Sequence, residues 1–301
     1  MIIDQVRSSF EEPNSFVGRE RELDQLREFA RSVRAVTLCG SGGIGKTRLA
    51  LRVLAGLTDE FPDGVWFIEL GDLRRPELVV PRVASVIGVE EEPGRPLLDT
   101  LADALRPRRL LLALDNCEHR IDSCARLCHR LLASAPGLRV LATSREPLRV
   151  AAETVWQVPP LTLPQPGAAE APEELGRYEA IRLFCDRAAA SQPGFALTPA
   201  NLPAVAALCR SLDGVPLAIE LAAAWVRVLS VEQILARLDD RFRLLTSGDR
   251  TAPPRQRTLR AAIDWSHDLL AEREQVLLRR LSVFAGWSLE MAEQLCSGAD
   301  L

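Results

Sequence analysis

Apolar and polar positions along this chain switch between two periods, and the switches mark out its elements. Ala35-Val36-Thr37-Leu38-Cys39 is a short apolar run suited to a strand, and residues 48–54 after it carry apolar side chains at helical spacing. A second strand is expected at Val65-Trp66-Phe67-Ile68-Glu69-Leu70, with helices over 78–87 and 96–105. Leu110-Leu111-Leu112-Ala113-Leu114 is apolar throughout, as a strand covered on both faces must be. Val140-Leu141-Ala142-Thr143 and Val155-Trp156-Gln157-Val158 bring the expected strands to five. Strands alternating with helices predict an α/β layer with a parallel five-stranded sheet, whose ligand site lies at the carboxyl ends of the strands. Residues 159–177 are rich in Pro, Ala, Glu and Gly and have little periodicity, the mark of a linker. Helical patterns over 179–190, 201–211, 216–228 and 231–238 then predict a compact helical domain. Pro253-Pro254 punctuates the chain, and a further helical unit begins at Thr258. The division expected is 1–158, 159–250 and 251–301.

The loop after the first strand carries the chemistry. Gly40-Ser41-Gly42-Gly43-Ile44-Gly45-Lys46-Thr47 is a complete G-x-x-x-x-G-K-[ST] sequence between a strand and a helix, the context that gives the motif its meaning. Its glycines let backbone N–H groups turn inward to form an anion site at the start of the following helix. Lys46 is the one lysine in the chain; every other basic residue is arginine. A compact ammonium is kept where a point charge must lie between phosphates, a task for which the wide guanidinium fork is less suited. Thr47 supplies a hydroxyl for Mg2+, and Arg48, next after the loop, is expected among the nucleotide-binding residues.

A P-loop also needs a carboxylate delivered by a buried strand, and Asp115 stands at the carboxyl end of the third expected strand. Asp115, with Thr47, is the expected metal residue. Asn116 follows where an acid would polarise the attacking water, so Glu118 is the nearest substitute; an acid complementing a helix start is the other account of it. Arg145 closes Thr143-Ser144-Arg145 after the next strand, a position from which a guanidinium would sense a γ-phosphate.

Composition narrows the classes. A net charge of −4 argues against a surface built to bind nucleic acid or an anionic membrane. No secretory signal is visible at the N-terminus, and no apolar run reaches the ~20 residues of a membrane helix, so a soluble cytoplasmic protein is expected. Seven cysteines scattered through apolar segments point to small buried side chains in a reducing compartment. Cys117, His119, Cys124, Cys128 and His129 lack paired C-x2-C spacing, and Cys124, Leu127, Cys128 and Leu131 recur as one face of a helix.

Four motifs in order, Phe16-Val17-Gly18-Arg19-Glu20, Leu114-Asp115-Asn116-Cys117-Glu118-His119, Thr143-Ser144-Arg145 and Gly214-Val215-Pro216-Leu217-Ala218, resemble the NB-ARC branch of the STAND signal-transduction ATPases. The bacterial LuxR-like and antibiotic-regulatory regulators are the nearest in look. The resemblance implies that Val17, Gly18 and Arg19 contact the adenine end of ATP or ADP, and that the segment containing Pro216 closes over the base. It implies that Lys46, Thr47 and Asp115 hold phosphate and Mg2+, with Arg145 as sensor. It also implies an ADP-closed state that exchange for ATP opens, with nucleotide-dependent homo-oligomers, and a winged-helix domain from Thr251 onward. That last unit is expected to be incomplete at Leu301, His267 does not match the family's nucleotide histidine, and sensor repeats and a DNA-binding effector domain are expected to be absent.

Three classes follow. The first is a nucleotide switch with slow Mg-dependent hydrolysis; the second holds nucleotide as a scaffold without turnover, as Asn116 would allow; the third is a regulator that itself reads DNA, which the acidic balance disfavours.

Overall fold

In the computed structural model, residues 14–165, 172–238, 272–282, 284 and 288–296 are described. The start of the helical unit predicted from Thr258, with Pro253-Pro254 and His267, lies outside them, as does the N-terminal segment before Asn14.

Helix α1 (Glu20–Ser32) precedes strand β1 (Ala35–Cys39) and helix α2 (Lys46–Ala55) follows it. Then come β2 (Val65–Glu69), α3 (Val79–Ile87), α4 (Leu97–Leu105), β3 (Leu111–Asp115), α5 (Ile121–Ser134), β4 (Arg139–Ser144) and β5 (Glu153–Gln157). All neighbouring strands pair in parallel, in the order β2-β3-β4-β1-β5. The parallel five-stranded sheet expected from the alternating pattern is the one observed. Each strand is within two residues of its predicted bounds, and β3 is shifted by one, so that Asp115 is the last strand residue rather than the first after it.

The central strands β1, β3 and β4 are buried on both faces, which explains their unbroken apolar runs, while the edge strand β5 is partly exposed. Leu112, Leu114, Val140 and Ala142 pack with α3, α4 and α5 on one face. Leu111, Ala113, Val36, Leu38 and Leu141 pack with α1 and α2 on the other. The periodicity argument assigns no element to α1. Its charged face dominates the segment, and only Leu23, Leu26, Phe29 and Ala30 turn toward the core. Cys117, Cys124 and Cys128 are buried in the first of these cores, as the helical spacing of the latter two predicts.

Beyond the sheet, a short turn α6 (Pro172–Leu175) lies inside the segment expected to be irregular, and α7 (Glu179–Ser191), α8 (Leu202–Ser211), α9 (Pro216–Ala223) and α10 (Val231–Ala236) surround the fully buried Phe184. The helix expected over 216–228 tightens after Ala223 into a 3-10 turn. Two further helices, α11 (Glu272–Leu281) and α12 (Leu289–Cys296), pack on each other. Among the described residues no helix is long and apolar enough to cross a membrane.

One glycine sets how the helical part meets the chain leaving the sheet. Gly214 has φ +66, its carbonyl accepts from the Leu161 N–H at 3.0 Å, and an added Cβ would stand 2.5 Å from the Leu161 carbonyl oxygen. Gly88, the left-handed residue ending α3, has φ +78 but nothing within 4 Å of such a Cβ. Gly88→Ala is expected to cost about 1 kcal/mol, the backbone penalty alone. Gly214→Ala should cost about 3 kcal/mol or more, because a backbone atom must also move. Urea denaturation of the two variants checks this, and equal losses would contradict it.

Candidate functional site

The strand order builds the site. β4 stands between β1 and β3, so the loop leaving β1, Thr143 near the end of β4 and Asp115 at the end of β3 meet at one edge. Gly43 and Gly45 turn through φ +80 and +97, conformations that cost a side chain about 1–2 kcal/mol and glycine almost nothing. The turn delivers Gly45 as the residue capping α2, whose first-turn N–H groups form the helix's positive end, where an anion is favoured.

Asp115 is 1% exposed, and its acceptor sites are nearly all engaged. Thr47 Oγ1 donates to its Oδ1 at 2.7 Å, Thr143 Oγ1 donates to the same oxygen at 2.6 Å, and Asn116 Nδ2 donates to Oδ2 at 2.7 Å. The Asn116 N–H in turn donates to Thr143 Oγ1 at 3.0 Å. Asn116 holds a left-handed backbone, φ +61, of the kind asparagine tolerates better than most residues, and this bends its amide back onto the neighbouring carboxylate. Thr143 is the residue of this set that motif reasoning quotes without giving it a role. Its signal is positional: one strand stands between the phosphate-loop strand and the carboxylate strand, and a hydroxyl ends it.

Lys46 is buried, and its Nζ donates to the carbonyls of Gly40 at 2.8 Å and Ser41 at 3.1 Å. Burial lowers its pKa from the ordinary lysine value; Glu118 and Asp115 oppose that shift, and Arg145 adds to it. These four groups therefore share one electrostatic pocket. Arg145 Nε lies 3.4 Å from Glu118 Oε1, with the Glu118 side chain 4% exposed and that of Arg145 17%. The candidate water-polarising acid and the candidate phosphate sensor are ion-paired to each other.

On the far side of the loop Arg19 opens α1 with φ +66, and its Nη2 donates to the carbonyls of Ile44 at 2.7 Å and Pro159 at 3.1 Å. Burial lowers its pKa, while Glu179 and Glu22 act in the opposite direction. The guanidinium is thus a prop beneath the phosphate loop. Its own N–H donates to Glu179 Oε1, and Gly18 leaves no room for a Cβ against the same glutamate. The Val17-Gly18-Arg19 segment is consequently fixed by a residue of α7, a partner 160 positions away that motif reasoning does not reach.

Pro216 sits at the first turn of α9, and the next residue closes the site: the Leu217 N–H donates to the Gly43 carbonyl at 3.2 Å. A Cβ on Gly43 would stand 2.8 Å from that of Leu217. Of the residues singled out in the sequence, Gly40 to Thr47, Asp115, Glu118, Arg145, Arg19 and Pro216 come together. The guanidinium of Arg48 bonds to Glu220 and to the carbonyls of Asn14 and Ser15.

Thr47 and Asp115 offer hard oxygen donors. Among the described residues no group of three or more His, Cys, Asp or Glu could hold a metal ion. That donor set fits Mg2+, which takes one or two protein carboxylates and leaves its other positions to phosphate and water. The buried ammonium of Lys46 and the two left-handed glycines fit a polyphosphate.

Residues 19–157 match the family model of the NB-ARC domain. Over 277 residues the chain is 45% identical to a Mycobacterium tuberculosis protein named for HTH-type transcriptional regulation, covering 92% of this chain and 30% of that one. It is 32% identical over 235 residues to the regulatory protein AfsR of Streptomyces griseus, covering 73% of this chain and 22% of AfsR. The chain thus spans less than a third of these relatives. The Walker-type ATPase of Pyrococcus abyssi shares the fold with a TM-score of 0.58 at 15% identity, covering 97% of this chain and 89% of that one.

Lys46→Met is expected to leave the nucleotide-free protein no less stable, with a gain of up to about 1 kcal/mol, since a functional charge is buried at a cost to the fold. The sign follows from the lowered pKa. The gain is full at neutral pH and shrinks as pH rises from the depressed value toward the ordinary one near ~10.4. Urea denaturation at two pH values reads it; a loss above 1 kcal/mol at pH 7 would contradict it.

Proposed function

We infer that this chain, which belongs to the NB-ARC branch of the STAND ATPases, is the nucleotide-binding switch module of a bacterial signalling or transcription regulator. It binds ATP or ADP at the carboxyl edge of its sheet, hydrolyses ATP slowly and relays the state of the nucleotide through domain rearrangement. The observation that carries this reading is the 2.7 Å contact between Thr47 Oγ1 and Asp115 Oδ1. A hydroxyl from the phosphate loop and a carboxylate from a different strand face one another where a hydrated cation is needed.

The roles follow from that contact. Gly40, Ser41, Gly42, Gly43, Ile44 and Gly45 turn their amides to the phosphates, and Lys46 places its ammonium between them. Mg2+, held by Thr47 and Asp115, would supply charge neutralisation to the phosphates. Val17, Gly18 and Arg19 line the adenine end, with Pro216 and Leu217 above the loop. Arg145 senses the terminal phosphate, and Glu118 takes the proton of the attacking water once that phosphate draws Arg145 away from it. The division into 1–158, 159–250 and 251–301, a nucleotide-dependent homo-oligomer and a cytoplasmic setting belong to the same proposal.

A second reading, a nucleotide-holding scaffold without turnover, is favoured by one observation: Asn116 replaces an acid beside Asp115 and spends its side chain on the Asp115 carboxylate. Glu118→Gln separates the two. The switch reading expects measurable ATP consumption under saturating Mg-ATP that falls at least about 100-fold in the variant, the scale of a lost general base. Consumption at background level in both proteins, with Mg-ATP bound, would replace the switch by the scaffold.

A further inference from the structure

Arg48 follows the phosphate loop directly, and its contacts lead away from the loop toward the helical part. Its Nη1 donates to Glu220 Oε1 at 3.3 Å, and its Nη2 donates to the carbonyls of Asn14 at 3.2 Å and Ser15 at 3.0 Å. Glu220 lies on α9, the helix whose first turn touches Gly43. The same Oε1 accepts a second guanidinium, from Arg187 Nε at 3.0 Å.

Arg187, on α7, is 8% exposed and grips the same short segment from the opposite side. Its Nη2 donates to Asn14 Oδ1 at 3.0 Å and to the Ser15 carbonyl at 2.7 Å, and its Nη1 donates to Ser15 Oγ at 2.8 Å and to Asp186. The Ser15 hydroxyl donates on to Asp186 Oδ2 at 2.7 Å. Phe16, next in the chain, lies beneath Arg48 and Arg52, whose guanidinium carbons stand 5.8 and 5.2 Å from its ring centre. Asn14, Ser15 and Phe16 are therefore held from the sheet side by α2 and from the helical side by α7, immediately before Val17-Gly18-Arg19.

One carboxylate serves two arginines at this junction. Charge-assisted hydrogen bonds at partly buried sites are the stronger class, and removing the shared partner leaves two like charges facing the space it occupied. The side chain of Glu220 is 28% exposed, so the network is neither fully screened by water nor locked in the core.

We propose that Glu220, bridging Arg48 and Arg187, is a positioning residue that clasps the helical part to the phosphate-loop helix and thereby holds the 14–19 segment in its base-binding place. The link to nucleotide residence rests on the function proposed above. The clasp itself does not, because it joins protein groups alone.

The test is hydrogen–deuterium exchange of the full chain without nucleotide, comparing wild type with Glu220→Gln. Two amides report on the junction: Leu217, bonded to the Gly43 carbonyl, and Arg19, bonded to Glu179. Both are expected to exchange at least about tenfold faster in the variant, the effect of losing a charge-assisted hydrogen bond, while amides of β1, β3 and β4 stay within about twofold. Arg48→Gln, which keeps the Glu220–Arg187 pair, should give a smaller change at the same two amides. Dissociation of a fluorescent ADP from the Glu220 variant should quicken by a similar factor. Unchanged exchange at Leu217 and Arg19 would overturn the clasp, and so would equal acceleration across the sheet, which would make the network one of general stability. Failure of both proteins to bind the fluorescent ADP would instead overturn the nucleotide reading, with the exchange result still deciding the clasp.

Discussion

The carbonyl of Gly43 accepts a hydrogen bond from the Leu217 N–H in the first turn of a helix from another layer, and much of the molecule is arranged around that bond. It requires a left-handed glycine in the phosphate loop, because a side chain there would collide with Leu217. It requires α9 to begin at Pro216, whose missing N–H costs nothing at a helix start and whose fixed φ aims the next amide outward. It also requires the chain leaving β5 to turn at Leu161 and meet Gly214, so that the helical part returns over the carboxyl edge of the sheet. The loop is thereby held between Arg19 beneath and Leu217 above, with one face left for an anion.

Such a site is costly to build. Lys46, Asp115, Glu118 and Arg19 are ionisable groups removed from water, and each is held by specific protein partners. The ammonium of Lys46 on the Gly40 and Ser41 carbonyls and the Glu118–Arg145 pair lie together with Asp115 in one pocket of alternating charge. In the proposed function a polyphosphate would compete with Glu118 for Arg145 and with the loop carbonyls for Lys46, coupling ligand charge to side-chain position without a large motion of the sheet.

The phosphate loop was legible in the chain because its chemistry is local: eight consecutive residues define both the turn and the groups it presents. The central strands were legible because burial on both faces leaves an unbroken apolar signature, clearest at β3, whereas the partly exposed β5 showed only a short β-prone run. Asp115 could be assigned from the end of that run, yet its cage could not, since Thr143 reaches it only because β4 pairs between β1 and β3. Helix α1 escaped the periodic argument because its polar face outweighs four apolar residues. Glu179, Arg187 and Glu220 gave no sign at all; their partners lie 160, 172 and 172 positions away, and on the surface of a helix each looks like an ordinary charge.

The central claim is that this edge of the sheet holds an adenine nucleotide. Denaturing the purified protein and identifying the released nucleotide by chromatography tests it directly, with Lys46→Ala as control. The account predicts close to one ADP per chain from the wild type and none from the variant. Empty wild-type protein that also fails to bind added Mg-ADP or Mg-ATP would contradict it.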